Sequence, residues 1–87
     1  MKGKAQFVIR NAGGANLLVP LGAQVMNGNG LIILNDTAAC VWELLGQERS
    51  LDDLTSAVAK QFGVAAGIAR DDVQNFVDEI SALGLLE

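Results

Sequence analysis

The stretch GLIILNDTAACVWELLG (residues 30–46) joins an apolar run directly to the start of a helix. LIIL (31–34) is short and wholly apolar, which is typical of a buried strand. Either Asn35 or Asp36 can cap the helix that follows, because a short polar side chain there accepts a hydrogen bond from a free backbone N–H. Four apolar residues then recur with the spacing of one buried helix face: Ala38, Val41, Trp42 and Leu45. The stretch therefore predicts a strand and a helix with no loop between them.

Upstream of this stretch, the sequence predicts two further strands. QFVIR (6–10) has a pattern compatible with a strand, and LLVP (17–20) is a short apolar run that ends in proline. NAGGAN (11–16) is typical of a turn between them, since glycine adopts positive φ at little cost. LGAQVMNGNG (21–30) predicts a loop with a hairpin-type turn at Asn27-Gly28.

Downstream, the periodicity predicts two more helices. Ser50 and Asp53 have the spacing of a capping box that begins the second helix, and Gly63 ends it. The third helix begins between Ala66 and Arg70 and ends at Gly84. The predicted apolar faces are Leu51, Leu54, Val58 and Phe62 in the second helix and Val73, Phe76, Val77, Ile80 and Leu83 in the third.

The order of these elements predicts an α+β fold. We expect a small winged-helix-like domain in which a three-stranded antiparallel sheet is followed by three helices. The 87 residues predict a single domain over 1–87, because a chain of this length forms one core.

Composition argues against several classes of function. The formal net charge is −4, so the chain lacks the positive surface that nucleic-acid binding requires, and it has no His, the commonest general base. Cys40 lies between core positions and is expected to pack as a small apolar side chain. We interpret Asp52-Asp53 as first-turn carboxylates that complement a helix dipole, and Asp71-Asp72 in the same way if the third helix begins near Arg70. We therefore predict that the protein is not an enzyme and binds no metal, cofactor or nucleic acid. Trp42 is expected to pack in the core.

The chain also lacks the apolar runs of a signal peptide or a membrane span. A single cysteine excludes an intrachain disulfide, which is consistent with a reducing compartment. We therefore expect a cytoplasmic protein with no membrane partner.

Five fragments follow one another in a recognisable order: FVIR, LLVPLG, GLIILNDTAACVWELL, SLDDLTSAVAKQFGV and DDVQNFVDEISALGLLE. Together they span Phe7 to Glu87, and the chain over that range resembles the PqqD family, whose members are also called RiPP recognition elements. LNDTAACVWELL, at the junction of strand and helix, is the most specific part. The FVIR and LLVPLG forms are more similar to members from peptide-modification clusters other than the one for pyrroloquinoline quinone.

The resemblance implies a function in peptide binding. Members of the family bind the leader segment of a ribosomally synthesised precursor peptide and present it to a modifying enzyme, often a radical SAM enzyme. The founding member serves the biosynthesis of pyrroloquinoline quinone. The resemblance also implies that the leader docks as an added strand against the third strand, beside the third helix.

Transferred to this chain, the resemblance implies a groove lined by Leu31, Ile32, Ile33 and Leu34 and by one flank of the third helix. The strand has no Lys, Pro or inward charge of the kind that protects an idle sheet edge. An extended peptide could therefore pair with its backbone. Of the two helix flanks, we expect the one without acidic residues to face the groove: Arg70, Gln74, Val77 and Ser81. Asp72 and Glu79 mark the opposite flank.

Three alternatives follow from the same sequence. A winged-helix DNA-binding protein is disfavoured because the third helix carries four carboxylates against Arg70. A carrier protein with a phosphopantetheine group on Ser50 is disfavoured because Arg49 stands where that motif has Asp, and because carrier proteins lack strands. A homodimer formed by antiparallel pairing of two copies of 31–34 stays open.

Overall fold

A computed structural model of the protein describes residues 1–21 and 32–87, which form three strands and three helices. The strands are β1 (Phe7–Ala12), β2 (Ala15–Pro20) and β3 (Ile32–Leu34). The helices are α1 (Asp36–Leu44), α2 (Leu51–Phe62) and α3 (Ala66–Ala82). The predicted α+β fold, with the sheet before the helices, is confirmed. The predicted turn at Asn27-Gly28 and the residue Leu31 lie outside the described residues.

The sheet is antiparallel, with strand order β1-β2-β3. Gly13 and Gly14 both have positive φ, at 60° and 82°, as a two-residue hairpin turn of type I′ requires. Because this turn is so tight, Ala12 pairs with Ala15, and both strands extend into the segment 11–16 that was predicted to be a turn. The order leaves β3 at one edge of the sheet.

The junction between β3 and α1 has the predicted form. Leu34, the last residue of β3, pairs with Asn16, and α1 begins two residues later. Asn35 caps the helix, with its Oδ1 accepting a hydrogen bond of 2.8 Å from the backbone N–H of Ala38. The strand and the helix are therefore held in a fixed relation by a single linking residue.

The ends of α2 and α3 follow their local chemistry. Ser50 and Asp53 form the predicted capping box, and Gly63 ends α2 in the left-handed conformation. α3 begins at Ala66 with no side-chain cap and no acidic residue in its first turn. The interpretation of Asp71-Asp72 as first-turn carboxylates is therefore wrong, because the helix begins early enough to place both residues beyond that turn.

The core draws apolar side chains from all six elements. Three of these side chains are completely buried: Leu18 in β2, Val41 in α1, and Leu45 at the C-terminal end of α1. The predicted apolar faces are confirmed except at two helix ends. Phe62 and Leu83 are 36% and 47% exposed, because each lies where its helix ends and the chain turns at a glycine with positive φ.

The two ends of the chain lie together beside α1. Gly3 and Leu86 form an antiparallel bridge, and the backbone N–H of Lys4 donates to the carbonyl of Leu85 at 2.9 Å. The N–H of Gly3 donates to the carbonyl of Leu45, also at 2.9 Å, which fastens the first residues to the end of α1. Within the described ranges, none of the helices is long and apolar enough to cross a membrane.

Candidate functional site

β3 is one of the two edge strands of the sheet, and β1 is the other. On its inner side, Ile32, Ile33 and Leu34 pair with β2 in antiparallel register. Residues 1–21 and 32–87 contribute no partner to the outer side. In an antiparallel ladder, alternate residues direct their N–H and C=O groups away from the neighbouring strand. This edge therefore offers free donors and acceptors to another extended chain.

The side chains of β3 alternate between core and surface. Leu34 is buried and Ile32 is partly buried, whereas the side chain of Ile33 is 76% exposed. β3 itself carries no charged residue, and an exposed isoleucine on such an edge strand lacks the protection that sheet edges usually have. The strand thus exposes both its backbone and an apolar side chain.

A cleft of about 280 Å³ lies between β3 and α3. β3 contributes Ile33 and Leu34, and the start of α1 contributes Thr37 and Ala38, with Asn35 between them. α3 contributes four residues spaced i, i+3, i+4 and i+7, which is one stripe along the helix: Asp72, Asn75, Phe76 and Glu79. Two carboxylates, one amide and a buried aromatic ring thus form the α3 side of the cleft.

This stripe continues beyond the cleft in both directions. Ile68 is four residues before Asp72 and Leu83 is four residues after Glu79, so helical periodicity places both on the same face. They are 57% and 47% exposed, which is unusual for large apolar side chains. We call this set the cleft face of α3: Ile68, Asp72, Asn75, Phe76, Glu79 and Leu83.

The predicted α3 residues lie on a different side of the helix from this cleft, and their contact with a peptide stays a prediction. Arg70 points toward α2, where its guanidinium pairs with the carboxylate of Asp52 at 3.1 Å. Gln74 donates to Asp78 at 2.8 Å, and Ser81 is exposed. Val77 is buried in the core. None of these four residues lines the cleft beside β3.

The physical reason is the position of α3 relative to its two neighbours. The core face of the helix has one flank on each side, and α2 packs against the flank that carries Arg70. The remaining flank, with Asp72 and Glu79, faces β3. The sequence contained a signal for this flank, since Ile68 and Leu83 extend it with apolar residues that the core does not bury.

The carboxylates of the cleft face have no cationic partner among the residues that the structure describes. The ion pairs found there join Arg70 to Asp52 and the terminal amino group of Met1 to Glu48. Neither pair involves Asp72 or Glu79, so the wall of the cleft carries two unpaired negative charges.

A second cleft, of about 470 Å³, lies where the first residues of the chain pack on α1. Lys2, Gly3 and Lys4 line it together with Phe7 and Trp42. The Trp42 ring is 7% exposed, and its Nε1 donates to the carbonyl of Phe7 at 3.3 Å. We call this the Trp42 cleft.

Cys40 has the environment of a packing residue. It is partly buried, and burial raises the pKa of its thiol, with the negative charge of Glu43 acting in the same direction. A raised pKa disfavours the thiolate that nucleophilic chemistry needs. Within residues 1–21 and 32–87, no group of three acidic, Cys or His side chains is placed to hold a metal ion.

Comparisons with known proteins agree with this geometry. The family model described as "Coenzyme PQQ synthesis protein D (PqqD)" matches residues 22–86. Among solved structures, the chain is similar in fold to "TbiB1 in Complex with the TbiA(beta) Leader Peptide", with a TM-score of 0.73 and 18% sequence identity. The similarity covers 100% of this chain and 95% of that one. No curated protein has a significantly matching sequence.

Proposed function

The chain belongs to the PqqD family, and on this premise we propose that it binds the leader segment of a ribosomally synthesised precursor peptide without catalysing a reaction. The observation that carries the proposal is the open outer edge of β3 beside the cleft that α3 lines. That arrangement suits an extended peptide, which satisfies the free backbone groups of the edge by adding a strand.

In the proposed binding mode, backbone pairing supplies affinity and the cleft supplies selectivity. Backbone hydrogen bonds between the peptide and β3 contribute about 0.5–1.5 kcal/mol each and do not depend on the peptide's side chains. Alternate side chains of the peptide enter the cleft, where Ile33 and Phe76 offer apolar contact and Asn75 offers an amide. The cleft therefore selects among the peptides that the strand edge can pair with.

The similarity in fold to TbiB1 supports this proposal, because that protein's structure is a complex with a leader peptide. The similarity in fold extends over the entire chain. We propose that residues 1–87 act as one peptide-binding domain on this basis.

The bound leader is presented to a peptide-modifying enzyme, and we propose a radical SAM enzyme in the cytoplasm as that partner. The family supports an enzyme partner, and the absence of His from the chain supports the view that the chemistry takes place elsewhere.

An NMR titration tests the proposal. The probe is the leader segment of the precursor peptide encoded beside this gene, added to the ¹⁵N-labelled full chain, with a scrambled leader as control. The amides of Ile32, Ile33 and Leu34 and those of the cleft face of α3 should shift. Shifts that cluster at the Trp42 cleft, or an absence of binding, would contradict it. Salt-dependent micromolar binding to duplex DNA would favour the winged-helix alternative instead.

A further inference from the structure

The α3 side of the cleft combines negative charge in its middle with apolar side chains at its ends. Asp72 and Glu79 lie inside, and Ile68 and Leu83 flank them on the same face. We infer that the peptide occupying the cleft is basic in its middle and apolar at both ends, with two Lys or Arg residues on one side of the strand. This inference rests on the proposed function and specifies its ligand.

The dimensions of the helix set the length of the peptide segment. Ile68 and Leu83 are fifteen residues apart, which is about 22 Å along a helix that rises about 1.5 Å per residue. An extended peptide covers that distance with about seven residues at about 3.3 Å each. The recognised segment is therefore about as long as one ordinary strand.

The two carboxylates set the spacing of the basic residues. Asp72 and Glu79 are seven residues apart, or about 10.5 Å along the helix. Side chains on one side of a strand recur about every 6.6 Å, so positions two or four residues apart lie about 6.6 or 13 Å from each other. Because Lys and Arg are long and flexible, either spacing brings both cations within reach of both carboxylates.

Charge complementarity selects this occupant over others. A peptide that covers the cleft removes water from Asp72 and Glu79, and a cation opposite each carboxylate offsets that loss of hydration. An acidic peptide is repelled at the same place. In a homodimer paired through β3, the second copy would place its own Ile32–Leu34 against this edge. That strand carries no Lys or Arg to pair with Asp72 and Glu79.

A display selection on the full chain tests the inference. The probe is an mRNA-display library of random peptides of about twelve residues, which exceeds the segment that the cleft covers. Three proteins are compared: the wild type, Asp72→Asn/Glu79→Gln in the cleft, and the matched control Asp71→Asn/Asp78→Asn. The control removes the same charge from exposed positions of the same helix that do not line the cleft.

The wild type and the control should enrich peptides with two Lys or Arg residues two or four positions apart and apolar residues outside them. The cleft variant should lose the basic preference and retain the apolar one. A single enriched basic peptide should bind the cleft variant about fivefold to tenfold more weakly than the control, as expected for two partly exposed ion pairs.

Three outcomes would overturn the inference. Enriched peptides that shift the β3 amides but are neutral or acidic contradict the basic ligand and leave the proposed function intact. An equal loss of affinity in both double variants shows that general charge, and not the cleft face, attracts the peptide. A dimer detected by light scattering, with intermolecular NOEs between the two copies of β3, shows that a second copy is the occupant. A selection that enriches no peptide contradicts the proposed function itself.

Discussion

The Trp42 cleft and the cleft beside β3 differ in the hydrogen bonds that their backbones already make. In the Trp42 cleft, Gly3 bridges Leu86, and the N–H groups of Gly3 and Lys4 donate to carbonyls elsewhere in the chain. In the cleft beside β3, the outer edge of Ile32–Leu34 has no partner among residues 1–21 and 32–87. The first cleft is the larger, at about 470 Å³ against about 280 Å³. The exposed apolar side chain of Ile33 on the edge strand, and not volume, thus distinguishes the candidate binding surface.

The difference also concerns stability. The Trp42 ring is buried and anchors the N-terminal residues to the core, so it contributes to folding. Ile33, Ile68 and Leu83 remain exposed, so they contribute little to folding and remain available for a partner. We expect changes at the Trp42 cleft to alter stability and changes at the β3 cleft to alter binding.

The largest effect is expected for Trp42→Ala. Truncating a buried tryptophan costs about 3–5 kcal/mol. Because the free energy of unfolding of a small domain is about 5–15 kcal/mol in total, much of the stability is lost. Urea denaturation followed by circular dichroism measures this change. Trp42→Phe is the control, since it removes the hydrogen bond to Phe7 and part of the buried ring but keeps an aromatic side chain, and it should cost less than Trp42→Ala. An equal loss in both variants would show that the ring does not anchor the segment by packing.

Gly3→Ala should also destabilise the protein, by about 1–3 kcal/mol. A Cβ at this position would lie 2.8 Å from the Trp42 ring, which is closer than van der Waals contact allows. The matched control is Gly67→Ala in α3, where an added Cβ meets no atom within 4 Å and helix propensity improves. Thermal melts should therefore move in opposite directions for the same chemical change, and a shift of the same sign would argue against the close packing at Gly3.

Ile33→Ala should weaken leader binding about tenfold while leaving the free energy of unfolding within about 0.5 kcal/mol of the wild type. The side chain is 76% exposed in the free protein and becomes buried only when a peptide covers it. Isothermal titration calorimetry with the leader peptide gives the affinity. Phe62→Ala, which truncates an exposed aromatic residue away from both clefts, should leave the affinity unchanged. Equal losses in the two variants would remove the distinction between the clefts.

The smallest effect on stability is expected when acid pH protonates the Asp53 carboxylate in the capping box of α2. Hydrogen bonds from the backbone N–H and the side chain of Ser50 lower the pKa of Asp53 below its usual value. The charged carboxylate therefore stabilises the fold above the unfolded pKa of about 3.9, and this contribution disappears as the pH falls through the lower folded value. The difference in stability between the wild type and Asp53→Asn should shrink below about pH 4.

Leader affinity at neutral pH should be the same in the wild type and in Asp53→Asn, because the capping box lines neither cleft. Asp71→Asn, outside the capping box, is the control for the change in charge. A constant difference between the wild type and Asp53→Asn down to acid pH would contradict the assigned role of the carboxylate.

The sequence allowed the fold to be predicted where its cause is local. Asn35, Ser50 and Gly63 occupy the predicted helix ends because capping depends on a few neighbouring backbone groups. The buried face of α3 was predicted from its periodicity, and Val73 and Ile80 are completely buried. These features need no knowledge of the distant parts of the chain.

The flank of α3 that faces β3 could not be predicted in the same way. Periodicity identifies the buried face of a helix but not which of its two flanks meets a sheet and which meets another helix. That choice depends on where α2 packs, and the pair Arg70–Asp52 joins residues eighteen positions apart. The absence of acidic residues suggested the Arg70 flank, whereas the exposed Ile68 and Leu83 extend the flank that lines the cleft.

The central claim is that a leader peptide adds a strand to the outer edge of β3. Isotope-filtered NOEs between ¹³C,¹⁵N-labelled protein and unlabelled leader peptide test it most directly, since backbone protons of paired strands lie close together. We predict NOEs from the peptide backbone to Ile32–Leu34, with side-chain NOEs to Phe76. NOEs confined to the Trp42 cleft, or to α3 without β3, would contradict the claim.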